Sequence, residues 1–292
     1  MSAAVELVVA VAIGAGLGAA GWRATSPMFR ADAVMRTNYR GQLLPTAVGV
    51  VIPLVALVVI GSNSIVAVIL QLRDPFASGW SALSELGPTM LLTCLGFGCL
   101  GLLDDVAGIN QSGGFSGHLR AMARGTLTTG MVKLIGGALL SSVIVARTSA
   151  EPSLGGFVRD VGIISLGANL ANLADRAPGR AIKAVTLGFA VVAGVTLSEL
   201  LVAPAVVIGA GFGLLSADLR EDLMLGDTGS NVLGATLGLG VVFAVTPGVR
   251  WGVFALLVAL NALSEVKSFT SIIDATPALR WLDRLGAPHR QP

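Results

Sequence analysis

Residues 223–234 read LMLGDTGSNVLG, an acid, two hydroxyl residues and three glycines set between long apolar stretches. Gly226 can end the preceding segment, Asp227 then projects from the turn, and Thr228 and Ser230 can cap the next helix. The N–H groups of a helix start favour an anion, whereas a carboxylate favours a metal. Together they suit a metal-bound diphosphate; simple helix capping is the plainer alternative.

Three further stretches carry polar chemistry. GLLDD at 101–105 places Asp104 and Asp105 side by side at the end of an apolar segment. Neighbours on a helix point about 100° apart, so the two acids cannot do the same job. One could hold a cation while the other accepts a proton, and their mutual repulsion would raise one pKa. GFSGHLRAMARGTLTTGMVK at 114–133 supplies His118, Arg120, Arg124 and Lys133. The arginines could bind phosphate oxygens or simply anchor a loop. Lys133, at membrane depth, needs a counter-charge. NLANLADRAPGR at 169–180 spaces Asn169, Asn172 and Asp175 three apart before Arg176, Pro178, Gly179 and Arg180 break the helix. That stripe could line a cavity, ligate a hard cation through oxygen, or bond neighbouring helices.

The elements that position these residues follow from the solvent. Of 292 residues, 54% are hydrophobic and only 12% charged, far below the charged share of a soluble domain. The composition predicts an all-α, polytopic membrane protein. A net charge of +2 on scattered basic residues gives no footprint for nucleic acid. Cys94 and Cys99 read as packing residues, and the N-terminal apolar run reads as a retained span. Windows of about 20 residues, enough to cross roughly 30 Å of hydrocarbon, predict helices at 3–22, 43–61, 88–103, 129–146, 159–173, 183–198, 200–216, 231–246 and 251–265. Apolar residues 64–70 could lengthen the second, so nine to ten spans are expected, with 1–265 as one helical domain and 266–292 as an amphipathic tail.

With the N-terminus outside, only Arg73, Arg147, Arg159 and Arg250 among the loop cations fall outside. The remaining loop cations fall inside, as the positive-inside rule asks. Asp104, Asp105, Asp175, Asp218, Glu221, Asp222 and Asp227 then share the cytoplasmic face, although nothing in the placement of spans required it.

Four segments in this order resemble the polyprenyl-phosphate N-acetylhexosamine-1-phosphate transferases, glycosyltransferase family 4, relatives of phospho-N-acetylmuramoyl-pentapeptide transferase. They are Arg40-Gly-Gln-Leu-Leu-Pro45-Thr46 with Gly49; Leu103-Asp104-Asp105; Asn169-x-x-Asn172-x-x-Asp175; and Leu225-Gly226-Asp227-Thr228-Gly229-Ser230 with Leu233-Gly234. The resemblance implies transfer of a sugar-1-phosphate, from a nucleotide-sugar of the UDP-N-acetylhexosamine type, to a polyprenyl phosphate at the cytoplasmic membrane. It implies Mg²⁺, with Mn²⁺ as a substitute, held chiefly by Asp227 with Asn172 as a second oxygen ligand. Asp104 and Asp105 become the acidic pair that positions or deprotonates the lipid phosphate. Lys133, Asn169, Asp175, Arg180, Thr228, Ser230, His118 and Arg120 become candidates for binding substrate. The product would serve cell-wall or surface-glycan synthesis, and a homodimer is compatible with the family.

Two departures stand out. Pro178 occupies the place where the family commonly has a base-binding Asp or Asn, and no histidine-rich loop precedes the C-terminus. In its place, 265–286 forms an amphipathic tail that could lie on the membrane or lend Lys267, Asp274 or Arg280 to the donor site. Two other classes compete: a catalytically silent homologue acting as a lipid-binding scaffold, and a transporter. A transporter should place its polar groups near the bilayer midplane rather than at one face.

Overall fold

The computed structural model describes residues 2–74, 79–108, 114–148 and 153–288, and the chain is 82% helical. The long helices are α1 (Ala3–Thr25), α2 (Val51–Gln71), α3 (Ser81–Ala107), α5 (Thr129–Thr148), α6 (Leu154–Ala174), α7 (Arg180–Thr196), α8 (Val202–Leu219), α9 (Gly226–Ala244) and α10 (Pro247–Val266). Shorter ones are α4 (Gly114–Ala123), α11 (Phe269–Ala275) and α12 (Pro277–Arg284), and a two-stranded hairpin joins β1 (Met35–Thr37) to β2 (Leu43–Pro45).

The long helices follow the expected segments in order, although α6 and α9 each begin five residues earlier than expected and two starts shift further. The second begins at Val51 rather than 43, because residues 43–45 pair antiparallel with 35–37, Met35 opposite Pro45. Its far end reaches Gln71, so 64–70 does extend it. α3 runs through Pro88 and starts earlier than the hydropathy suggests.

Among the described residues six helices are long and apolar enough to cross a bilayer: α1, α2, α3, α5, α8 and α10, three of them with short helical extensions. This agrees with a membrane protein; by length and composition alone six helices qualify, and the expected nine to ten crossings are not confirmed. α6 carries Arg159 and Asp160, α7 has only 17 residues, and α9 opens on a polar stretch. The reason for α9 lies in packing: every residue from Thr228 to Thr236 is buried, chiefly against α6 and α3. A helix screened from lipid by its neighbours need not be apolar all round.

Small residues allow the close packing. Gly14 and Gly18 of α1 meet the backbone of α8 at Val206 and Ala210, while Gly209 and Gly213 of α8 meet α1 at Val11 and Ala15. Such small-residue seams are how helices associate without a water-driven force. Gly101 of α3 lies against the Asp227–Thr228 backbone, where a Cβ would come within 2.6 Å of Thr228 Cα. That contact presses the acidic end of α3 onto the start of α9.

The hairpin is lashed to the same place. Met224 N–H donates to Pro45 O at 2.7 Å, and Gly49 N–H to Leu225 O at 2.9 Å. Arg36 donates to the Asp105 and Val106 carbonyls at 3.1 and 3.4 Å, closing the C-terminal end of α3. Asn38, Tyr39 and Arg40 all donate to Glu221, at 2.8, 3.0 and 3.3 Å. Glu221 is buried and holds a left-handed backbone, φ 60°, which is costly for a residue with a Cβ and is fixed here by three partners.

At the other end of the bundle, Arg159 and Arg250 converge on Asp160. Arg159 grips it with Nε at 2.8 Å and a second nitrogen at 3.2 Å, and Arg250 donates at 2.8 Å. Arg159 also lies 5.3 Å from the Trp251 ring centroid. Two arginines expected in loops are thus part of an ionic lock between α6 and α10.

Candidate active site

Four helices bring their ends to one point. Lys133, on the second turn of α5, sends its ammonium to Asp104 of α3 at 3.1 Å, to Asn172 of α6 at 3.4 Å, and to Asp227 of α9 in a shorter contact. The Asn172 amide nitrogen donates to the other Asp227 oxygen and to Ser230 Oγ at 3.3 Å. The counter-charge that Lys133 requires at membrane depth is therefore Asp104 with Asp227.

Asp105 does something different from its neighbour. Its carboxylate accepts the Asp227 and Thr228 N–H groups, each at 2.9 Å, and the Thr228 hydroxyl at 2.6 Å. A residue far away in sequence thus caps α9. The expectation that Thr228 and Ser230 cap this helix is corrected: Thr228 donates to the cap, and Ser230 Oγ donates back to Gly226 O at 2.9 Å. The first N–H groups of α9 are spent on Asp105, so they are not an open cradle for a diphosphate. With both oxygens engaged, Asp105 holds the backbone at Asp227 in place. Gly226 makes this possible by a left-handed turn, φ 74°, where a Cβ would meet the Asp105 carboxylate.

Asp175 is the C-terminal cap residue of α6, beside the cluster. Burial, and then the charges of Asp218, Asp227 and Asp105, push its carboxyl well above the usual carboxylate range. Asp218, also buried, accepts the Gly179 N–H at 2.8 Å and fixes the turn into α7.

A cleft of about 280 Å³ opens from Asp105, Asp175 and Asp227. Its walls are the hairpin from Thr37 to Tyr39 with Leu44 and Thr46, the turn Arg176–Pro178, and the loop from Glu221 to Gly226. Pro178, the residue that departs from the family pattern, thus lines it.

Not every expected residue arrives. Asn169 turns away and donates to Asn261 of α10 at 2.7 Å, so the polar stripe divides into a helix–helix bond and a site residue. Arg180 is buried against the tail, with nitrogens 2.7 and 3.0 Å from the Asp283 carboxylate and 3.0 Å from Thr270 Oγ1. Neither is placed to bind substrate. Arg120 is exposed on α4, and among the described residues no bond ties it to the cluster. The side chain of His118 lies outside the described residues. Of the residues that shape the site, Arg36 and Tyr39 carried no signal beyond their nearness to Arg40. Glu221 and Asp218 were visible only as acids on the same face.

The donors suit a hard cation. Among the described residues no three His, Cys, Asp or Glu converge as a metal-binding group. Two carboxylates and one amide oxygen do converge, on a point where a positive charge already sits. All-oxygen donors of this kind are the chemistry Mg²⁺ prefers, with waters and substrate phosphates completing its shell.

Compared with protein-family models and with curated proteins, the chain finds no match in either.

Proposed function

We propose that the chain is an integral-membrane phosphoglycosyltransferase that moves a sugar-1-phosphate from a nucleotide-sugar to a polyprenyl phosphate. The observation that carries this reading is the meeting of Asp104, Asn172 and Asp227 around one cationic point, beside a cleft at one end of a bundle of apolar helices. Topologically, α6, α7 and α9 cross with the six apolar helices, the N-terminus lies outside, and the site and the tail are cytoplasmic.

In the reaction, an oxygen of the lipid phosphate attacks the β-phosphorus of the donor. One P–O bond forms, the bond to the bridging oxygen breaks, and the nucleoside monophosphate leaves with that electron pair. Asp227, Asn172 and Asp104 would hold Mg²⁺, which supplies positive charge to the donor diphosphate. The Asp104 carboxylate, which accepts from Lys133 at 3.1 Å, would be the group that takes the proton if the lipid phosphate arrives protonated. Asp105 keeps Asp227 aimed by fixing the first turn of α9. Lys133 neutralises the acids in the absence of metal, and with Mg²⁺ bound at that point its ammonium would be released towards phosphate oxygens. The cleft beside Pro178 takes the nucleoside end of the donor, and Pro178 in place of Asp or Asn leaves the choice of base to the hairpin and the loop opposite.

Incubation with Mg²⁺, polyprenyl phosphate and a panel of radiolabelled nucleotide-sugars tests the reading: a lipid-linked sugar diphosphate is expected from at least one donor. A second check is topological. Tags at 110–115 and 225–230 must report the same, cytoplasmic side.

A further inference from the structure

The last helix is turned the wrong way round for a soluble surface. At 100° per residue, Ala278, Trp281, Leu282 and Leu285 share one side of α12, and Arg280, Asp283 and Arg284 the other. Of the polar side, Asp283 packs inward while Arg280 stays exposed. Asp283 is only 6% exposed, with both oxygens on Arg180 at 2.7 and 3.0 Å. Lys183 Nζ donates to the carbonyls of Leu282, Asp283 and Leu285 at 3.1, 2.6 and 3.1 Å, holding the C-terminal end of the helix. Beyond it, Ala287 is buried and Gly286 lies against Leu219 at the end of α8.

The apolar side is therefore directed away from the protein. Trp281 is 66% exposed and Leu285 50%. What covers them follows from where the helix is clamped. Arg180 and Lys183 form the first turn of α7, at the end of the bundle that carries the acidic cluster. The tail continues directly from α10, an apolar helix able to cross a bilayer, whose last residue Val266 is 87% exposed. The exposed face of α12 thus continues the lipid-facing surface of the bundle at the level where that surface meets the headgroups, which is where tryptophan concentrates.

We propose that α12 is an interfacial helix: Trp281 and Leu285 insert into the headgroup and acyl boundary of the bilayer, while Asp283 ties the opposite side to α7. The occupant of this face is the lipid surface. This rests on the chain being membrane-embedded and is independent of any transferase activity, so either can fail alone.

The test uses the full chain in phosphatidylcholine nanodiscs. The emission of Trp281 is isolated as the difference between wild type and Trp281→Phe. Lipids brominated at acyl carbons near the headgroup should remove most of that emission, and aqueous acrylamide little of it. Quenching by acrylamide and not by brominated lipid would overturn the proposal. So would protection from both quenchers, which would mean that protein covers the face. A second measurement places a thiol there instead: Leu285→Cys in a chain carrying Cys94→Ser and Cys99→Ser. Its reaction with a membrane-impermeant maleimide should speed up at least severalfold once detergent replaces the bilayer; equal rates in both would contradict insertion.

Discussion

The carboxylate of Asp105 accepts the N–H and the hydroxyl of Thr228, 123 positions away in sequence, together with the N–H of the adjoining Asp227. This cap places the end of α3 against the start of α9 and so sets the distance between Asp104 and Asp227. Asp105→Ala should leave two N–H groups without partners at a cost of about 1–3 kcal/mol, and Thr228→Val should remove one bond worth about 1 kcal/mol. Thermal unfolding in detergent checks the order: Asp105→Ala should lower Tm more than Thr228→Val.

The two neighbouring acids should separate by phenotype. Asp104→Asn is expected to reduce transfer by roughly 10²-fold or more, the usual weight of a general acid or base, with little change in Tm. Asp105→Asn should lose both stability and activity. Parallel turnover and unfolding measurements on the two variants check this, and identical behaviour would refute the division of labour.

Lys133 occupies the point on which the cluster's oxygens converge. Lys133→Met leaves Asp104 and Asp227 facing one another without their cation, so the metal-free protein should unfold at lower temperature. Mg²⁺ should then raise Tm more in the variant than in wild type, because binding that favours the folded state stabilises it. A titration of Tm against Mg²⁺ concentration reads this directly.

The buried pair of Arg180 and Asp283 fastens the tail. Breaking it from one side, by Arg180→Met or Asp283→Leu, should cost about 3–5 kcal/mol of tail docking, and the double replacement should recover part of that. Limited proteolysis within 267–288 measures it: each single variant should be cut faster than wild type, and the double variant more slowly than either.

Much of the fold was legible because apolar runs of bilayer length fix where helices lie, and the observed long helices follow those runs in order. The departures have local causes. Residues 43–45 read as the start of a helix but pair with 35–37, since hydropathy does not register strand partners. α6 and α9 fall short on apolarity because packing inside the bundle shelters their polar residues from lipid. Within the site, Asp104, Asn172, Asp227 and Lys133 were readable as costly polar groups at helix ends, and the structure brings them together. Asn169 belongs to the same stripe and Arg180 follows it closely, yet their partners Asn261 and Asp283 lie 92 and 103 positions away. Periodicity along one helix cannot show which neighbour it faces. For the same reason, the cap on α9 was sought in the adjacent Thr228 and Ser230 when it comes from Asp105.

The central claim is that the oxygens of Asp104, Asn172 and Asp227 support metal-dependent transfer of a sugar-1-phosphate onto a lipid phosphate. The most direct measurement follows nucleoside monophosphate and lipid-linked sugar together, from a panel of donors with polyprenyl phosphate and Mg²⁺, in wild type and Asp227→Asn. The expected result is equal amounts of the two products from at least one donor, abolished by chelation and by Asp227→Asn. No product from any donor, with Asp227→Asn matching wild type in Mg²⁺ and lipid binding, would contradict it.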